Sequence, residues 1–242
     1  MEVCADSVES ALIAQNAGAY RIELCDNLAE GGTTPSYGTI ALARKRLNIK
    51  LYVLIRPRGG DFLYNDIEFE IMKSDIAVCG KLGCDGVVIG MLLRDGSIDE
   101  ARCRELMGIA NQHNLGVTFH RAFDRCNDFP KAMETVIGLG CERILTSGGK
   151  DTALEGAETI NQLIKQASGR ISIMPGAGIT PENITELLQK TDANEFHGTF
   201  KSQYPSQMEY RNTSLGDFDE EYTQWKVDEE KIRRIQEVTN SK

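Results

Sequence analysis

Short apolar runs alternate with longer amphipathic ones along almost the whole chain. The short runs are Glu2–Cys4, Arg21–Cys25, Leu51–Arg56, Gly86–Gly90, Gly116–His120, Arg143–Thr146, Ile171–Met174 and Glu195–His197. Each has the length of a strand, and helix-length segments separate them, which is the pattern of parallel strand–helix–strand units. Asp6-Ser7-Val8-Glu9 and Ser97-Ile98-Asp99-Glu100 read as capping boxes. Thr180-Pro181-Glu182 sets a capping hydroxyl before a proline at the first helical position, and Asn65-Asp66 opens a helix whose stripe includes Ile67, Ile71 and Ile76. One joint recurs: Leu82-Gly83-Cys84-Asp85-Gly86-Val87 resembles Ala17-Gly18-Ala19-Tyr20-Arg21-Ile22 and Leu139-Gly140-Cys141-Glu142-Arg143-Ile144, each with a glycine where a left-handed helix cap belongs. A repeated joint between helix and strand predicts a single α/β domain over 1–242, a (β/α)8 TIM barrel. An open doubly wound sheet fits less well, because no GxGxxG follows the first strand. Residues 198–227 are polar and irregular and predict a long rim loop; the charged segment 228–239 predicts a short extra C-terminal helix.

Side chains alternate along a strand, and in a barrel the helix-facing set must be apolar. Ile22 and Leu24 therefore face outward and Glu23 and Cys25 inward. The same test turns Glu2, Cys4, Thr118, His120, Ser172, Met174, Glu195 and His197 inward, and Arg56 ends the third strand. Barrel interiors are usually branched aliphatic, so this polar set at the strand ends points to a functional pocket.

Composition narrows the chemistry. A net charge of −9 does not favour nucleic acid or an anionic membrane, and no apolar run reaches the roughly 20 residues of a membrane span. The seven cysteines are odd in number and form no CxxC pair, and Met1-Glu2-Val3-Cys4 lacks the basic start of a secretion signal. The expectation is a cytoplasmic protein with reduced thiols.

Cys4 and Cys25 end adjacent strands and face one space, a pairing that suits either simple packing or soft-metal chemistry, Cu(I) or zinc. Glu23, His120, Glu195 and His197 are candidates for moving protons or holding a divalent metal. Arg56 and Arg58, in Arg56-Pro57-Arg58-Gly59-Gly60-Asp61, look built for an anion. Ser147-Gly148-Gly149-Lys150 and Pro175-Gly176-Ala177-Gly178 follow the sixth and seventh strands, where glycine loops can cradle phosphate. No lysine is turned inward, which argues against a Schiff-base aldolase.

Several blocks resemble the CutC family: Glu2-Val3-Cys4-Ala5-Asp6-Ser7, Arg21-Ile22-Glu23-Leu24-Cys25 with Glu30-Gly31-Gly32-Thr33-Thr34-Pro35, Ile55-Arg56-Pro57-Arg58-Gly59-Gly60-Asp61-Phe62, Thr118-Phe119-His120-Arg121-Ala122-Phe123-Asp124, Ile144-Leu145-Thr146-Ser147-Gly148-Gly149 and Glu195-Phe196-His197. The likeness runs from residue 2 to about Asn212 and departs beyond it. It implies a TIM barrel, cytoplasmic location and a role in copper handling, with copper as the metal and Cys4 and Cys25 as its ligands. Three functions remain open at this stage. One is Cu(I) binding by the thiols. Another is an enzyme acting on a small phosphorylated or carboxylated metabolite, with Arg56 and the loops at Gly148, Gly149, Gly176 and Gly178 holding the anion. The third is an interaction barrel without chemistry. The expected partners are a metal ion and a small anionic metabolite, with a homodimer left open.

Overall fold

The computed structural model describes residues 1–212, 214 and 219–239. The strands are β1 (Glu2–Ala5), β2 (Arg21–Leu24), β3 (Lys50–Leu54), β4 (Gly86–Ile89), β5 (Gly116–Phe119), β6 (Arg143–Thr146), β7 (Ser172–Pro175) and β8 (His197–Gly198). They form one parallel sheet in the order β7-β6-β5-β4-β3-β2-β1-β8, so each strand lies beside its neighbour in sequence and β8 returns to β1. Helices α1 (Val8–Asn16), α2 (Tyr37–Arg46), α3 (Asp66–Lys81), α4 (Glu100–Gln112), α5 (Phe129–Leu139), α6 (Ala157–Ala167) and α7 (Ile184–Thr191) each follow the strand of the same number. This is the (β/α)8 barrel that the alternation predicts. Side chains span the seam between β7 and β8: the Ser172 hydroxyl donates to Glu195 at 2.8 Å.

The segment expected to be an irregular rim loop holds an antiparallel ribbon. Strands β9 (Lys201–Pro205) and β10 (Thr223–Val227) pair from Lys201 with Val227 to Pro205 with Thr223. Alternation is weak here because both faces of the ribbon are largely wet. Residues 213 and 215–218 of that stretch lie outside the described residues. Helix α8 (Glu229–Thr239) buries Ile232 and Ile235 and takes the eighth helical place of the ring.

Local signals set most boundaries. Gly18, Gly83 and Gly140, the glycines of the repeated joint, all have left-handed backbones with φ of 93°, 74° and 87°. Asn65 and Glu68 form a full capping box at the start of α3. Its buried face, however, is Phe69, Met72, Ile76 and Cys79; Ile67 and Ile71 are exposed. The stripe through Ile67 and Ile71 lies on the neighbouring face of the same helix. Asp99 caps α4 in place of Ser97, and α7 starts at Ile184, beyond the Thr180-Pro181 signal.

The outward residues Val3, Ile22, Leu24, Val117, Phe119, Ile171, Ile173 and Phe196 pack in the main apolar cluster with the helices. A second, smaller cluster inside the barrel joins Cys4, Cys25, Tyr52, Leu54 and Val88.

Candidate metal and ligand site

The two thiols predicted to converge do so. Cys4 Sγ and Cys25 Sγ are 3.3 Å apart, both buried. Register explains the approach: Cys4 pairs with Glu23, and Cys25 lies two residues further on the same inward face of the chain leaving β2. Gly32, with φ of 90°, closes over Cys25; a Cβ there would come within 3.9 Å of its sulfur and collide with Leu54. The nearby Cys25 thiol raises the Cys4 thiol well above its ordinary pKa, and burial and the Glu23 carboxyl add to this.

One ligand atom each from Cys4, Glu23 and His197 lies within 4.8 Å of the others, and all three side chains are buried. His197 Nδ1 donates to Glu2 at 2.7 Å, which leaves Nε2 facing Glu23 at 3.6 Å. A carboxylate behind an imidazole fixes the ring and frees its other nitrogen for a metal. Burial works against the charged His197 ring, but Glu23 and Glu2 outweigh it and raise its pKa. Burial likewise opposes the Glu2 carboxylate, yet His197 and Arg21 hold its pKa at about 2. Glu23 keeps its proton to higher pH than a free carboxyl, chiefly because it is buried.

These donors suit a soft cation. Metal–sulfur bonds are ~2.3 Å at zinc, so two sulfurs on one ion stand at most about 4.6 Å apart. The observed 3.3 Å lets both reach one ion without backbone movement. The sulfur of Met174, the other inward-facing sulfur residue, is engaged elsewhere: it accepts from Arg21 at 3.5 Å.

Above this group opens a cavity of about 510 Å³, lined in part by Cys4, Glu23, His197, Arg56 and His120. The anion-binding expectations sort differently. Arg56 lines the cavity, but its terminal nitrogens donate to the carbonyls of Glu30, Gly32 and Gly60 at 2.7–2.8 Å and staple two loops together. Arg58 does not line it; it is tied to Glu68 and Asp61. The loop at Ser147, Gly148 and Gly149 does cradle an anion, one from the chain itself: the Asp124 carboxylate accepts from the backbone N–H groups of Ser147 and Gly149 at 3.0 and 3.1 Å. Gly178 lines the cavity, whereas Gly176 serves packing, since a Cβ there would strike Leu145 and crowd His197.

Glu195 stands apart from the thiols. With Glu2 it belongs to a second network near the N-terminal ends of the strands, built by Arg21 and Arg143, the first residues of β2 and β6. Arg21 pairs with Glu2 and, at 2.5 Å, with Glu195, and Arg143 lies 3.3 Å from Glu195. Tyr52 lies between them, each guanidinium carbon 5.2 Å from its ring centroid. The polar interior is thus two layers rather than the single group at the strand ends expected from parity. Parity could have found Arg21, because it shares the face of Glu23 and Cys25.

A model of the CutC family matches residues 1–202. The chain belongs to the CutC family. A CutC family protein of Chromobacterium violaceum is 48% identical over 241 residues, covering 98% of this chain and 97% of its own. The human copper homeostasis protein cutC homolog is 52% identical over 215 residues, 89% of this chain and 78% of its own. CutC from Streptococcus agalactiae superposes with a TM-score of 0.78 at 39% identity, over 82% of this chain and 97% of that one. Phosphoribosylanthranilate isomerase of Thermotoga maritima, at 12% identity and a TM-score of 0.57 over 100% of this chain and 98% of its own, shares the fold alone. The CutC-like blocks meet around the cavity: Cys4, Glu23, Gly31, Arg56, His120 and His197 all line it. Most of the ribbon and all of α8 lie beyond the span matched by the family model; Lys201, at the end of that span, and Lys231, beyond it, also line the cavity.

Proposed function

We propose that this CutC family chain binds Cu(I) through the thiolates of Cys4 and Cys25 and serves copper homeostasis in the cytoplasm, where thiols stay reduced. The observation that carries the reading is the 3.3 Å approach of two buried sulfurs. Thiolate pairs select Cu(I) over hard cations. Cys4 lines the cavity and Cys25 does not, so the ion enters past Cys4. His197, braced by Glu2, and Glu23 supply further donors within reach. The human relative's name ties that protein to copper homeostasis, which agrees with this reading. Among the described residues no helix is long and apolar enough to cross a membrane.

The test is a Cu(I) titration against a competing chelator under reducing conditions, on the wild type, Cys4→Ser, Cys25→Ser and the double variant. The expected result is one tightly held equivalent in the wild type, weakened in each single variant and absent in the double. Affinity unchanged in the double variant would overturn the reading. Circular dichroism of each variant checks that the fold survives.

A further inference from the structure

The two thiols differ in what can reach them. Cys4 lines the cavity, whereas Cys25, with 0% of its surface exposed, does not. Gly32 closes over Cys25, Leu54 packs beside it, and its thiol donates to the Ala5 carbonyl at 3.7 Å. Cys4 itself is only 5% exposed, beneath the cavity rather than on the outer surface. An ion coming through the cavity therefore meets Cys4 first. It reaches Cys25 only from there, across the 3.3 Å between the sulfurs.

In a reducing, thiol-rich solution Cu(I) is held by thiolates in preference to water, so it arrives with ligands already on it. Those ligands need room. A volume of about 510 Å³ is far more than one ion needs and falls within the range of small-molecule sites. The walls include Leu28, Leu54 and Leu145, which suit a carbon body. Glu23 and Glu182 line the cavity as well as Lys201 and Lys231, so size and the thiol, not charge, select what enters. A folded donor protein fits less well. Two proteins exchange a metal by bringing exposed ligands face to face, and both sulfurs here are buried.

We propose that the cavity receives Cu(I) as a complex with a small thiol, and that Cys4 takes the ion before Cys25 completes the site. The inference rests on the reading of Cys4 and Cys25 as the copper ligands. From a bis-thiolate complex, Cys4 Sγ bonds to copper as one small thiolate leaves, and the leaving sulfur takes the Cys4 proton. Cys25 Sγ then bonds to copper, and the second small thiol departs with the Cys25 proton. No electron is transferred, and copper stays Cu(I) throughout.

The experiment uses the full-length, metal-free, reduced chain and three Cu(I) donors: the glutathione complex, the 2-mercaptoethanol complex, and a folded protein displaying a Cys-x-x-Cys pair. Loading is followed by stopped-flow absorbance and by native mass spectrometry. On the wild type, the loading rate is expected to reach a plateau as the glutathione complex is raised. It should exceed the rate from the protein donor at least tenfold at equal copper. In Cys25→Ser the exchange stops halfway, so the chain should carry one copper and one small thiol; Cys4→Ser should show no such adduct. Three results would overturn the proposal: the protein donor loads the wild type as fast as both small complexes; the rate stays linear in the glutathione complex; or folded Cys25→Ser takes up copper with no thiol attached. The two rates are read on the wild type, so a variant that fails to fold does not blunt the test. Any of these results beside tight Cu(I) binding in the chelator titration removes the delivery route alone; no binding in that titration removes the copper site with it.

Discussion

Tyr52 shows how one side chain organises a barrel floor. Its hydroxyl donates to Glu142 at 2.7 Å, and its ring is flanked by the guanidiniums of Arg21 and Arg143. Gly86 and Gly116 leave it room, for a Cβ at either would fall within 2.3 Å of its ring or hydroxyl. Burial, and then the bond to Glu142, push the phenol up to about 12 from an ordinary 10.0. A raised pKa means that the folded chain holds this proton more tightly than the unfolded chain. The associated stability is therefore complete below pH 10 and is lost as pH rises toward 12. Urea midpoints of the wild type should fall across that window more steeply than those of Tyr52→Phe; parallel curves would contradict the assignment. The inward face of Glu23 and Cys25 was legible from alternation, because Ile22 and Leu24 leave only one sensible orientation. Tyr52 was not, because β3 is apolar on both faces and alternation there carries no contrast.

At the scale of elements, the loop after β6 illustrates why a motif needs its surroundings. Ser147-Gly148-Gly149 has the composition of an anion cradle, and Gly148 and Gly149 adopt the positive φ of 68° and 72° that such a turn requires. The anion is Asp124, delivered by the short helical turn Arg121–Arg125 that follows β5. Sequence spacing alone could not reveal that two loops from adjacent strands satisfy each other. The arrangement predicts that Asp124→Ala loosens this corner of the barrel rim. Global stability should drop by about 1.5–3 kcal/mol, the value of a charged hydrogen bond, measured by urea unfolding. The backbone amides of Ser147 and Gly149 should lose hydrogen-exchange protection in the same variant. Unchanged stability and protection would contradict the assignment of Asp124 as the loop's own anion. The helix ends were more legible than their faces: the glycine caps lie where the repeated joint puts them, whereas α3 turns Phe69 and Met72 inward, not Ile67 and Ile71. Both apolar sets have helical spacing, and only the packing of α3 against β4 and α4 decides between them.

The whole molecule is a barrel with two polar layers inside. Eight alternating segments made the architecture readable, because few folds use that many parallel strands in sequence order. The ribbon β9–β10 escaped, since a wet two-stranded ribbon needs no apolar face. The lower layer joins the sheet to its own seam: Arg21 on β2 reaches Glu2 on β1 and Glu195 before β8. Arg21→Met should therefore lower the unfolding free energy by about 3–5 kcal/mol, the cost of removing one partner from a buried ion pair. A denaturation midpoint close to wild type would show that the layer is dispensable. The upper layer holds the thiol pair beneath the cavity, where the two sulfurs are proposed to hold one copper ion. The most direct measurement is the copper X-ray absorption spectrum of the chain loaded with one equivalent of Cu(I). Two sulfur neighbours are expected in the wild type, and their loss in the Cys4→Ser/Cys25→Ser variant. A spectrum with only nitrogen and oxygen neighbours, or one unchanged by the double substitution, would contradict it.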